Sequence, residues 1–319
     1  MAARKYLDLK CLNPGFVLRR LARLSTFDAN EFNLAVAPEV LAQLRTVSLS
    51  AQSDFSGREL LFVFGLMPRS GTNFLFEMLL RIPGVERTRI AFDELPILVR
   101  PQAFEHVSTM IRAYHPPSAD AFAPLSWLAF SAAGLRNHLL NLAPDGSLTL
   151  IKEPHPNNLS LFPSIFPKDR ALVILRDGRY VVDSFARSFA RSRLSRSFTE
   201  ICEEYRASAE TVADFLESDH ANVKVVRYEQ ANRERAATIE DIFNWLDRPI
   251  DRTALAALEA LPIYGSSVKS VANSGAVDWT PVQADASFDP SSRKLGWSAG
   301  QTRTFDRIAG AVNRRLGYE

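Results

Sequence analysis

Leu60-Leu61-Phe62-Val63-Phe64-Gly65-Leu66-Met67-Pro68-Arg69-Ser70-Gly71-Thr72-Asn73-Phe74 runs from an apolar segment through a short polar loop into a helical pattern. Strand, tight turn and helix start, in that order, make a phosphate holder. The first turn of the helix offers N–H groups without intrahelical partners, together with a partial positive charge. A nucleoside-triphosphate loop reads G-x-x-x-x-G-K-[ST]. Counted from Gly65, its second glycine and its lysine fall on Ser70 and Gly71. The lysine that reaches β/γ-phosphates is therefore missing, and the cation stands at Arg69. Such a loop suits a phosphate-bearing donor that is not handled as a magnesium nucleoside triphosphate.

Outward from the loop, Phe74, Leu75, Met78, Leu79 and Ile82 keep one apolar face at helical spacing, and Pro83-Gly84 ends that helix. A second strand is expected near Thr88–Phe92. Leu148–Ile151 reads as a strand ending at Lys152-Glu153-Pro154, and Ala171–Leu175 as one buried on both faces. Val181, Val182, Phe185 and Phe189 mark the helix that follows. Asn222–Val226 is a further strand, with a helix after it through Ile239, Ile242, Phe243 and Leu246. A last helix is expected over about 300–316, closed by Gly317. Alternating strands and helices predict an α/β fold: a P-loop-like parallel sheet flanked by helices on both faces. Residues 1–56 read as a small helical N-terminal extension, with a helix at Pro38–Arg45, and residues 57–319 as the main domain. Between them and the later strands, residues 95–141 carry helical patterns broken by Pro101, Pro116, Pro117 and Pro124, as expected of a cover over a cleft.

Global properties bound the class. A chain of 319 residues that is 46% hydrophobic can bury a sizeable core. Its net charge of +2 gives no argument for nucleic acid. Two cysteines, Cys11 and Cys202, make no disulfide framework and point to a reducing compartment. No apolar run approaches the ~20 residues that span a bilayer, and Met1–Arg20 has no apolar signal region. The chain thus reads as soluble and cytoplasmic. The histidines show no metal spacing, so no metal is expected.

Three of the expected strands end in polar clusters, Arg69-Ser70, Lys152-Glu153 and Arg176-Asp177, at the carboxyl edge where such sheets bind ligands. Arg176-Asp177-Gly178-Arg179 turns a buried strand into a helix, and Ser184 lies one to two turns further on. Helical side chains lean toward the N-terminus, so the Ser184 hydroxyl and Arg176 are placed to share an anion. Two neighbouring anion sites suggest a ligand with two separated phosphates.

These residues carry a family resemblance. Pro68-Arg69-Ser70-Gly71-Thr72 resembles the 5′-phosphosulfate loop of sulfotransferases, which use 3′-phosphoadenosine 5′-phosphosulfate (PAPS). Leu175–Arg179 with Ser184 resembles their 3′-phosphate site. Lys152-Glu153-Pro154 is similar to the Lys-Asp-Pro segment of tyrosylprotein sulfotransferases, and Val226-Arg227-Tyr228-Glu229 to a Tyr-Glu segment of Golgi and bacterial members. Gly296-Trp297 and Leu316-Gly317-Tyr318 resemble the C-terminal signature. The motifs run in order over roughly residues 58–319.

The resemblance implies residue roles. The backbone of Ser70, Gly71, Thr72 and Asn73, with the Thr72 and Asn73 side chains, would cradle the 5′-phosphosulfate. Arg69 would neutralise developing charge, Lys152 the leaving bridging oxygen, and Arg176 with Ser184 the 3′-phosphate. Ser266 or Ser267 would assist at the sulfonate, although the spacing after them departs from the family's. The acceptor, a small molecule or glycan hydroxyl among others, needs a general base. Glu94 is the first candidate and Asp93 the second, with His155 at the same cleft edge. The competing structural reading makes Asp93-Glu94 the acidic start of a helix at Pro96. Trp297 is expected in the core, and Arg187, Arg191, Arg193 and Arg196 on a solvated face that also steers an anionic donor. The rival functions are a kinase on a degenerate P-loop and a nucleotide-binding protein without catalysis.

Overall fold

The computed structural model describes residues 18, 22, 32–90, 93–114, 124–189, 196–258 and 294–319. After α1 (Pro38–Ala51) come β1 (Glu59–Phe64), α2 (Thr72–Leu79) and β2 (Val85–Arg87). Then follow α3 (Gln102–Tyr114), α4 (Ser126–Leu142), β3 (Leu148–Glu153) and the short α5 (Phe162–Ile165). The remainder is β4 (Arg170–Leu175), α6 (Gly178–Phe189), α7 (Phe198–Phe215), β5 (Val223–Arg227), α8 (Tyr228–Arg233), α9 (Arg235–Trp245), α10 (Arg252–Ala256), α11 (Ala299–Ile308) and α12 (Gly310–Arg315).

The five strands form one sheet in the order β2-β3-β1-β4-β5, and every neighbouring pair is parallel. β1 lies at the centre, where the chain turns first to one side and later to the other. In parallel sheets such a reversal marks the carboxyl strand ends, here those of β1, β3 and β4, as the place where ligands bind. The apolar run of β1 needs both faces covered, and it has them. Leu60, Phe62 and Phe64 point into one core, while Leu61 and Val63 join Leu75, Met78 and Leu79 in the other. Period-two alternation thus serves two helical layers. In the first core, the Phe62 ring lies 4.6 Å from that of Phe166 and 5.2 Å from that of Phe162.

α1 packs into this same core through Leu44, which is fully buried, and Gln52 Nε2 donates to Ile165 O at 2.7 Å. It continues to Ala51, beyond the expected Arg45. Among the described residues, no helix is long and apolar enough to cross a membrane.

Two expectations need correction. The second strand is Val85–Arg87, not Thr88–Phe92. Leu148 N donates to Gly84 O at 2.8 Å, which sets the earlier register, and Val85 is the residue with an apolar side chain to bury there. Ala91 and Phe92 lie outside the described residues. The C-terminal helix is two helices, broken at Ala309, whose φ of −120° departs from helical geometry.

Candidate functional site

The loop after β1 is held by its own serine. Ser70 Oγ accepts from the N–H groups of Leu66 and Met67, both at 3.0 Å, and donates to Met67 O at 2.6 Å. Ser70 N also donates to Met67 O, at 3.1 Å. Ser70 is fully buried and shapes the turn, so both its side chain and its N–H have partners inside the loop. Arg69 takes φ +88°, a left-handed conformation uncommon outside glycine, and Gly71 follows at φ +106°. A Cβ on Gly71 would run into the Tyr228 ring, so only glycine lets the loop lie on that tyrosine. Among the described residues, no side chain caps α2, so the N–H groups of its first turn have neither an intrahelical partner nor a capping group there. Thr72 is buried and Asn73 half-buried at that turn.

Arg69 and Arg176 interlock. Arg69 Nε donates to Ser184 Oγ at 3.0 Å, and Arg176 Nη1 donates to Arg69 O at 2.9 Å. The Arg176 guanidinium lies 4.2 Å from the centroid of the Tyr228 ring. Its Nε is buried and has no hydrogen-bond partner among the described residues. A guanidinium held this way, with a donor unfilled, is set up to receive an anion. Arg69, Arg176 and Ser184 thus come together, with Arg69 Nε on the Ser184 hydroxyl.

Lys152 ends β3 on the other side of β1. Its Nζ donates to Asn73 Oδ1 at 2.5 Å and pairs with Glu94 Oε1 at 3.2 Å. The backbone makes the pairing: Lys152 N donates to Asp93 O at 2.7 Å, Leu95 N to Lys152 O at 3.3 Å, and Glu94 forms a parallel bridge with Lys152. Glu94 therefore continues the sheet edge and is not the start of a helix at Pro96, because α3 begins only at Gln102. The Glu94 side chain is 54% exposed, so it is open to an incoming molecule. Asp93 faces away to Arg87, which also holds Glu77. His155 donates its backbone N–H to Glu153 Oε1 at 3.0 Å, and its Nδ1 lies 3.3 Å from the same oxygen. Burial opposes its charge, but the hydrogen bond and the charge of Glu153 raise its pKa above the usual value.

The second strand-to-helix turn does not offer its helix start to a ligand. Gly178 N donates to Asn313 Oδ1 at 2.8 Å, and Tyr205 Oη donates to the same oxygen at 2.9 Å. Asp177 N donates to Glu229 Oε1 at 3.1 Å, and Tyr318 Oη donates to Glu229 Oε2 at 3.0 Å. The C-terminal α12 and the Tyr228-Glu229 segment thus brace the turn that carries Arg176. Asn313, Tyr205 and the platform role of Tyr228 escape sequence reasoning. The Tyr-Glu and Gly-Tyr motifs are their visible trace.

Trp297 packs edge-on against Phe198, 5.2 Å between centroids, and near Phe305 at 5.4 Å. Arg187 pairs with Asp183, and Arg196 with Glu204. Arg191, Arg193, Ser266 and Ser267 lie outside the described residues. Among the described residues no cluster of three or more His, Cys, Asp or Glu could hold a metal ion.

Residues 61–252 match the model of the sulfotransferase family, a span of more than half the chain. Among solved structures, the chain is similar to the sulfotransferase domain of the Synechococcus PCC 7002 olefin synthase. Identity there is 17%, coverage 84% of this chain and 98% of that one, and the TM-score 0.47. It is similar also to a mouse sulfotransferase complexed with PAP, at 15% identity, covering 88% and 92% of the two chains, TM-score 0.46. A third is retinol dehydratase in complex with androsterone and inactive cofactor PAP, at 16% identity, 94% of each chain and TM-score 0.45. No curated protein matches the chain in sequence.

Proposed function

The chain belongs to the sulfotransferase family, and from that premise we propose that it moves a sulfuryl group from PAPS to an acceptor hydroxyl by in-line displacement. The observation that carries this reading is the pair of anion-ready groups on either side of one loop. They are the uncapped start of α2 and the Arg176 guanidinium with its unfilled Nε. A donor with a 5′-phosphosulfate and a 3′-phosphate has charge for both. Gly71, without a Cβ, lets the loop that carries the first of them lie against the Tyr228 ring. By its motifs we place it nearest to tyrosylprotein sulfotransferases and related bacterial sulfotransferases.

In the reaction, the acceptor oxygen attacks sulfur while the bond from sulfur to the bridging oxygen breaks. Glu94 takes the acceptor proton. Lys152, 3.2 Å from Glu94 and steered by Asn73, meets the negative charge that builds on the bridging oxygen. Thr72 and Asn73 with the first turn of α2 bind the phosphosulfate, Ser70 and Gly71 hold the loop in shape, and Arg176, Ser184 and Arg69 bind the 3′-phosphate. Arg69 is assigned to this end because its Nε reaches Ser184. The donor has no β/γ-phosphate pair for magnesium to bridge, so the missing P-loop lysine agrees with it. Residues 57–319 would be the catalytic domain, and the setting a reducing, cytoplasmic one.

The test is calorimetric. Adenosine 3′,5′-bisphosphate should bind more tightly than AMP and raise the melting temperature further. Arg176→Ala should abolish most of that preference. Equal binding of the two nucleotides by the wild-type protein would sink the reading.

A further inference from the structure

We propose that the groove between residues 34–40 and α3 receives the apolar tail of the acceptor, which makes the acceptor an alcohol with a long alkyl or similarly apolar body. This rests on the sulfotransferase reading and names its substrate class. The groove holds about 450 Å³ and is walled by Leu34, Val36, Val40 and Leu125, with Gln102, His106 and Thr109 as polar points. Among the described residues, no Lys, Arg, Asp or Glu lines it. At roughly 30 Å³ per water-sized group, that space accepts about 15 non-hydrogen atoms, within the usual range of small-molecule sites. The second groove, of about 530 Å³ beside β2, is lined by Glu77, Arg81, Glu86 and Arg87 and offers no comparable apolar wall.

Position links the apolar groove to the reacting groups. Leu34 N donates to Asn158 Oδ1 at 2.7 Å, and Asn158 Nδ2 donates to Leu98 O at 2.8 Å. Asn158 stands on the segment that leaves β3 just past Lys152. Leu98 stands on the strap that runs from Glu94 to Gln102, where α3 and the groove begin. Both walls are therefore tied to the two segments that bring Lys152 and Glu94 together. The strap spans eight residues, so even fully extended it separates groove and carboxylate by less than about 30 Å. Its turn over residues 97–99 shortens that reach. The acceptor's hydroxyl would lie at the end remote from the apolar anchor, within that reach of Glu94.

The experiment measures equilibrium binding of hexan-1-ol, octan-1-ol, decan-1-ol and dodecan-1-ol to the full chain saturated with adenosine 3′,5′-bisphosphate. Kd should fall about fourfold for each added methylene, the factor equivalent to ~0.8 kcal/mol per buried CH₂. Ala35→Glu and Gln102→Glu, at exposed positions lining the groove, should flatten that series while leaving the melting temperature and bisphosphate affinity unchanged. A Kd independent of chain length, with the bisphosphate shift intact, overturns the acceptor groove alone. An unchanged chain-length series in both variants also overturns it, as does an oligomer that these substitutions dissociate without altering the series. Absence of any bisphosphate shift sinks the donor reading itself.

Discussion

At the scale of single residues, Glu94 and Asp93 are neighbours with different surroundings. Glu94 meets Lys152 at the sheet edge, whereas Asp93 is tied to Arg87. Glu94→Gln should therefore lower kcat by roughly 10²–10⁴-fold, the span of general-base loss, with bisphosphate affinity unchanged. Asp93→Asn should leave kcat near wild type, and the reverse pattern in steady-state kinetics would exchange the two roles. His155 gives a second prediction. Its pKa is raised because, against the cost of burial, Glu153 favours the charged ring, with Glu204 adding to this and Arg196 opposing it. A group that binds its proton more tightly when folded contributes stability that is complete below its unfolded value. Here that value is near 6.5, and the contribution is lost as pH rises through the raised folded value. Urea midpoints of the wild-type protein should fall from about pH 6.5 upward, and His155→Gln should flatten the fall. A parallel pH profile in the variant would remove His155 from the account.

At the scale of elements, the loop between β1 and α2 acts through what lies under it. Gly71 rests on Tyr228, and Tyr228 supports Arg176. Gly71→Ala combines a positive φ with a steric conflict. It should cost about 1–3 kcal/mol of stability and weaken bisphosphate binding more than it weakens AMP binding, because the displaced ring is the one beneath Arg176. Equal weakening of both nucleotides would show that Tyr228 and Arg176 move independently. The strand ends at Arg69, Lys152 and Arg176 are legible in the sequence because local pattern alone locates them: an apolar run stops and charges begin. The bracing of Gly178 by Asn313 is not legible. The two residues are 135 positions apart, and an asparagine inside a short helix carries no periodic signal of its partner. The place of β2 is not legible for a related reason. Its three residues are too few for alternation to register, and pairing with β3 sets its place.

At the scale of the whole molecule, the α/β layering is readable because each strand's apolar run and each helix's apolar face are local features, while the strand order is not. That order decides which loops meet, and it brings α12 from the far end of the chain onto the Arg176 turn. Asn313→Ala should leave the Gly178 N–H and the Tyr205 hydroxyl without their acceptor. The expected cost is roughly 1–3 kcal/mol, read from denaturant midpoints, together with weaker bisphosphate binding. A fully stable variant with wild-type affinity would separate the C-terminal helix from the site. The central place of β1 has a consequence during synthesis. Phe62 pairs with Ile151 on one side and Ala171 on the other, about 90 and 110 positions later in the chain. As the chain leaves the ribosome, at roughly 5–20 residues per second, the most apolar strand waits several seconds with both edges bare. Sheet closure must then join distant segments, which is slow because the entropy of long loops is lost before contacts form. The nascent protein is therefore most exposed to aggregation and most dependent on chaperones before β4 emerges, and it carries that liability in the same strand that later positions its donor loop.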